Sequence, residues 1–175
     1  MDFKETTETG PEKFIEFCAK KLSVQVCNLI FNKTKEHSSS SLWHEMRYGR
    51  IMASILYKTS RCQTESGSLC QIILGAPSPF ETVTTARGKK LEKRVLAVVA
   101  KKKNVKISSA GFHLSSLNPI FGASLDGLTE NLCVEVKCPS KEATVKNLIK
   151  NNEIKRKHKT QIMLQIYICN KKGVI

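Results

Sequence analysis

Two carboxylates and an ammonium lie close together in the stretch Gly122-Ala-Ser-Leu-Asp126-Gly-Leu-Thr-Glu-Asn-Leu-Cys-Val-Glu135-Val-Lys137-Cys-Pro139. Side chains alternate across a strand, so Glu135 and Lys137 share one face, away from Val134 and Val136. A hairpin turning over residues 127–131 brings Asp126 across from Glu135, and two acids then converge with an ammonium beside them. Hard oxygen donors of this kind suit Mg²⁺ or Mn²⁺. Such an ion polarises a phosphate oxygen and acidifies a water, while Lys137 orients the nucleophile or stabilises transition-state charge. Charge flanked by Cys133, Val134 and Val136 is costly unless it serves a purpose.

Several elements must position this group. Short extended runs at 105–108, 111–115, 120–126 and 132–137 read as antiparallel strands, the last closed by Pro139. The clearest helix is expected over 86–103, opened by Thr84 or Thr85, with Leu91, Val95, Val98 and Val99 on one stripe. One N-terminal helix is expected over 11–35, a helix capped by Ser41 over 42–46, and another over 53–59. Residues 61–79 read as a loop around one short helix near 69–74. Helices over 141–150 and 154–169 follow, and 173–175 begins a strand. This order predicts an α/β fold with a small mixed central sheet flanked by helices.

Charge narrows the partner. Of 175 residues, 29 are Lys or Arg and 15 are Asp or Glu, a formal net charge of +14. The bases concentrate in 87–106, where Glu92 is the one acid, and in 137–172, where Glu142 and Glu153 are the two acids. Two such segments imply a densely negative partner, a nucleic acid above all. Aromatic residues make up only 6%, which argues against a stacking platform for single strands. The longest apolar run, 95–100, is far below the roughly 18 residues of a membrane span. The first 17 residues lack the apolar region of a secretory signal. Seven cysteines without a CxxC pair give neither a disulfide framework nor a zinc ribbon, and the four histidines lack ligand spacing. The expected setting is intracellular, with nucleus and cytoplasm both open.

Taken in order, the motifs resemble the YqaJ-type viral recombinase and lambda-type exonuclease family of the PD-(D/E)xK nuclease superfamily. The segment Trp43-His-Glu-Met-Arg47-Tyr-Gly-Arg50-Ile-Met-Ala-Ser54 follows that family's opening tryptophan, arginine and I-T-A-S-like layout. Gly88-Lys-Lys-Leu-Glu92 matches its G-x-x-x-E helix, and Ser124-Leu-Asp126-Gly127 its S-P-D-G element. Glu135-Val-Lys137-Cys138-Pro139 matches E-x-K-C-P, and Gln161 with Gln165 the late glutamine-rich helix. The resemblance implies a restriction-endonuclease-like core over 42–175, preceded by an N-terminal helix and linker over 1–41. It implies Asp126, Glu135 and the Val136 carbonyl as metal ligands and Lys137 as the catalytic lysine, with Glu92 near the metals. Arg47 and Ser54 match residues that hold a terminal 5′-phosphate, and Gln161 and Gln165 are placed to reach the active site or DNA. Leu125 replaces the family proline, which should loosen the turn before Asp126. Met52 replaces a threonine, which should remove a hydroxyl from the phosphate pocket. Family members usually continue through another strand after the glutamine helix, so the core is expected to be cut short at its C-terminus.

The implied activity is a Mg²⁺- or Mn²⁺-dependent DNA nuclease acting 5′-to-3′ on double-stranded ends in recombination or repair. A structure-selective endonuclease on the same fold and an inactive nucleic-acid-binding module are the alternatives. Double-stranded DNA is the implied partner, without a membrane, and the resemblance allows a homo-oligomer and a single-strand annealing partner.

Overall fold

The computed structural model describes residues 10–36, 39–75, 83–146, 148–151 and 153–175. The N-terminal helical stretch is two helices, α1 (Pro11–Lys21) and α2 (Val24–Lys33), not one. Ser23 causes the break, because its side chain accepts the Val26 amide at 3.2 Å and caps α2. At the other end of α2, the Thr34 hydroxyl donates to Ile30 O and accepts the Phe112 amide, each at 2.7 Å. That bond fastens α2 to β2 (Phe112–Leu114). The approach is so close that a Cβ on Gly111 would fall 1.8 Å from Phe31 O, so only glycine fits.

After α3 (Ser41–Arg47), capped by Ser40 and not Ser41, comes β1 (Ile51–Met52). This strand was not expected, since two residues carry no periodicity. The expected helix at 53–59 shortens to α4 (Leu56–Thr59), and α5 (Ser68–Ile73) is the short helix expected within the following loop. Helix α6 (Val83–Lys103) starts earlier than its apolar stripe, so Thr84 and Thr85 lie inside it, not at its cap.

Six of the strands form two small three-stranded sheets, which together make the expected mixed α/β centre. In the first, β3 (Phe121–Ser124) runs parallel to β1 and antiparallel to β2. In the second, β5 (Leu132–Val134) runs antiparallel to β4 (Gly127–Leu128) and parallel to β8 (Gly173–Val174). The expected run at 120–126 therefore splits, and the chain changes sheets at Leu125–Asp126. Leu125 is 0% exposed and sits in the core beside Ala110, Leu128 and Cys133, so it anchors this crossing and does not loosen it. The expected strand at 105–108 reduces to one bridge, Ser108 to Leu128.

The expected helix at 141–150 is only α7 (Glu142–Lys146), followed by a hairpin of β6 (Ile149–Lys150) and β7 (Glu153–Ile154). Asn151, at φ 53, supplies the left-handed turn residue that a tight hairpin needs. Helix α8 (Arg156–Cys169) then packs across β3 and β5 and ends at Asn170, also left-handed. Among the described residues no helix is long and apolar enough to cross a membrane.

Candidate active site

The acids stand where strands end. Register pairs Gly127 with Val134 and Leu128 with Cys133, so the next step of the same ladder sets Asp126 opposite Glu135. A two-residue turn at Glu130–Asn131 holds that register, with Thr129 N donating to Leu132 O and Leu132 N to Thr129 Oγ1, each at 2.9 Å. Glu135, Val136 and Lys137 lie just past the end of β5, although Glu135 N still donates to Ile175 O at 3.2 Å. Asp126 Oδ2 accepts the Val136 amide at 2.5 Å, which ties the two chain segments together. Lys137 Nζ pairs with Glu135 Oε1.

Helix α8 supplies the other side of Glu135. Gln161 Nε2 donates to Glu135 Oε1 at 2.7 Å, and Gln165 Nε2 to Oε2 at 2.6 Å. Positions four apart share a helix face, so one stripe grips both carboxylate oxygens. One rung deeper, Cys169 packs against the core cluster that holds Cys133. Gln165 is 0% exposed and Gln161 7%, so these amides serve Glu135; Gln165 has no surface to offer DNA.

Asp126, Glu135, Lys137, Glu92 and Gln161 line one open cleft of about 720 Å³ together with Arg47, Ser54, Lys35, Lys89 and Lys93. Arg47 lies 4.4 Å above the Trp43 ring, a cation–π contact, and burial lowers its pKa. Trp43 packs on the core, and its indole N–H donates to Ser124 Oγ at 3.3 Å, so it anchors α3 to β3 while carrying Arg47. Met52 is 4% exposed and belongs to the core with Phe112, so its replacement of a threonine takes nothing from the cleft. Lys35 was not singled out by sequence reasoning, because nothing local marks a residue that only tertiary packing brings to a site.

Burial pushes the Asp126 carboxyl up to about 7, helped by the charges of Glu135 and Glu92 and opposed by the Val136 amide and Lys137. Among the described residues no three His, Cys, Asp or Glu side chains close into a metal cage. The donor set nevertheless fits a hard divalent cation. Asp126 and Glu135 supply oxygens, Glu92 lines the same cleft, and the like charges of Glu135 and Glu92, which add to burial in raising the Asp126 pKa, are what a bound cation would offset.

The YqaJ-like viral recombinase domain profile matches residues 31–172. No curated protein matches the sequence. The fold is similar to the alkaline exonuclease LHK-Exo of Laribacter hongkongensis, with TM-score 0.59 and 22% identity over 74% of this chain and 68% of that one. LHK-Exo in complex with dAMP gives TM-score 0.60 at the same identity and the same coverage of both chains. The shutoff and exonuclease protein of Kaposi's sarcoma-associated herpesvirus is 22% identical over 79% of this chain and 33% of that one, with TM-score 0.49. The sheets flanked by helices are thus a fold that this chain shares with LHK-Exo. The chain belongs to the YqaJ-like viral recombinase domain family.

Proposed function

We propose that this protein is a divalent-metal-dependent DNA nuclease that acts 5′-to-3′ on double-stranded ends. The observation that carries the reading is the convergence of Asp126, Glu135 and Lys137 in a cleft also lined by Arg47, Lys35, Lys89 and Lys93. Family membership supports it, and so does the fold shared with alkaline exonucleases.

Asp126 and Glu135 would hold Mg²⁺ or Mn²⁺, with the Val136 carbonyl as a further donor and Glu92 facing the same space. The ion supplies Lewis-acid stabilisation of the phosphate and acidifies water. Gln161 and Gln165 keep Glu135 oriented and accepting on both oxygens. Lys137, beside Glu135, is placed to orient the nucleophile or to stabilise negative charge as phosphorus is attacked. Arg47, held over the Trp43 ring, and the Ser54 hydroxyl would grip a terminal 5′-phosphate, for which a guanidinium fork is well shaped. The lysines fix the backbone without reading bases.

The test is digestion of 5′-phosphorylated, end-labelled linear duplex beside a covalently closed circle, with Mg²⁺, Mn²⁺ or EDTA. Metal-dependent loss of the linear DNA alone, stepwise from the 5′ end, is expected. Cutting of the circle would make the protein an endonuclease, and binding without any cutting would make it a binding module.

A further inference from the structure

The cleft has two chemically different halves. On α6, Lys89 and Lys93 face it beside Glu92, and the same helix face continues with Leu96, Ala97 and Ala100. Positions three, four and seven apart fall on one side of a helix, so this surface turns from cationic to apolar within about two turns. Ile107 extends the apolar part. That wall reaches the acids themselves. A Cβ built on Gly127 would fall 2.6 Å from Ile107 Cγ2 and 3.6 Å from Leu96 Cδ2, so both side chains lie over the residue that follows Asp126.

An alkyl wall has no role in binding a metal or a phosphate, yet it opens into the same space as both. A nucleotide is divided in the same way, with an anion at one end and a flat face of low polarity at the other. The geometry points to a nucleobase subsite formed by Leu96, Ala97, Ala100 and Ile107, seating a base of the strand whose phosphates lie against Lys89 and Lys93. This inference rests on the nuclease reading and adds where a base sits. Four alkyl side chains carry no donor or acceptor, and the neighbouring Ser108 hydroxyl is already bonded to Leu128 O at 3.2 Å. The subsite therefore accepts any base, as an enzyme that moves along DNA requires. Ala97 and Ala100 are small enough to leave it open.

The experiment measures binding of a 5′-phosphorylated single-stranded oligonucleotide, either intact or abasic at its first nucleotides, in EDTA and again with Ca²⁺. The protein is wild type or carries Ala97→Gln with Ala100→Gln, both changes to a good helix former on the cleft-lining face of α6. Wild type should bind the intact strand about five- to tenfold more tightly, the gain expected from taking one base face out of water. The double variant should lose most of that preference while its affinity for the abasic strand stays within about twofold. Equal wild-type affinity for the two strands would overturn the subsite and leave the nuclease reading standing. A preference undiminished in the variant would also overturn it. No affinity for either strand under both conditions would also overturn the subsite, while the nuclease reading is decided separately by the duplex digestion. The wild-type comparison decides the matter even if the double variant fails to fold.

Discussion

Gln165 donates its side-chain amide to Glu135 Oε2 at 2.6 Å from a position with no solvent exposure. The bond joins the middle of α8 to the residue that follows β5, so a candidate metal ligand is oriented by a side chain shut off from solvent. Groups that orient metal ligands in this way typically matter 10–100-fold for metal affinity or activity. Gln165→Leu should therefore weaken Mn²⁺ binding and lower kcat by about that factor, with the KM for DNA little changed. Calorimetric Mn²⁺ titration of the variant decides it. Wild-type metal affinity would mean that Gln165 acts only in packing.

Lys137→Ala should abolish cleavage, a loss on the order of 10²–10⁴-fold for a positioned ammonium. Its side chain is partly exposed and pairs with Glu135, so thermal unfolding should shift little. Lys137→Arg keeps the charge but changes its geometry, and it should restore DNA binding better than turnover. Glu135→Ala should also abolish cleavage. Wild-type cleavage by both alanine variants would remove Lys137 and Glu135 from the site.

How much of this was legible in the sequence depended on how local each signal was. Asp126-Gly127 and Glu135-x-Lys137 could be placed opposite each other because alternation and a short turn settle a hairpin without help from the rest of the chain. The long helix α6 and the glutamine helix α8 carried their own periodicity. What failed was non-local or too brief. Strand β1 is two residues whose only reason to extend is parallel pairing with β3, some seventy residues later. Ser23, one capping side chain inside an apolar pattern, breaks the N-terminal helix. Ile149 and Lys150 read as the end of one helix and Ile154 as the start of the next, whereas Asn151 turns the chain back and pairs them as a hairpin. For Gln161 and Gln165, spacing placed both on one helix face but could not say which partner that face would meet.

Without divalent metal, Asp126 should destabilise the fold at neutral pH. Its pKa rises from an ordinary 3.8 to about 7 on folding. Between those values the unfolded chain has released a proton that the folded protein still holds, so stability falls as pH rises through that window. The loss is roughly 2–4 kcal/mol once partial exposure is allowed for. Asp126→Asn can still accept the Val136 amide but carries no charge. In EDTA at pH 8 it should unfold at higher urea than wild type, and the gap should close towards pH 4. Mg²⁺ should stabilise wild type and leave the variant nearly unchanged. A variant less stable than wild type at pH 8 would show that the acids do not strain the metal-free fold.

His113 should act in the opposite sense. It lies in β2 against the Phe31 ring, with centroids 4.8 Å apart, and its buried Nε2 has no hydrogen-bond partner among the described residues. Burial, together with the charge of Lys171, pulls its pKa from 6.5 down to about 4. As pH falls from 6.5 to 4 the unfolded chain gains a proton that the folded protein refuses, so the neutral imidazole's contribution is complete above 6.5 and lost through that window. The difference amounts to roughly 2–3 kcal/mol. His113→Phe keeps an aromatic ring in the strand and removes the titration. Comparing urea midpoints of wild type and variant at each pH cancels the opposing slope of Asp126, which is common to both. The variant's advantage should therefore grow as the buffer is taken from pH 7 to pH 4. A constant difference across that range would mean that the imidazole is protonated as readily in the folded protein as in the unfolded chain.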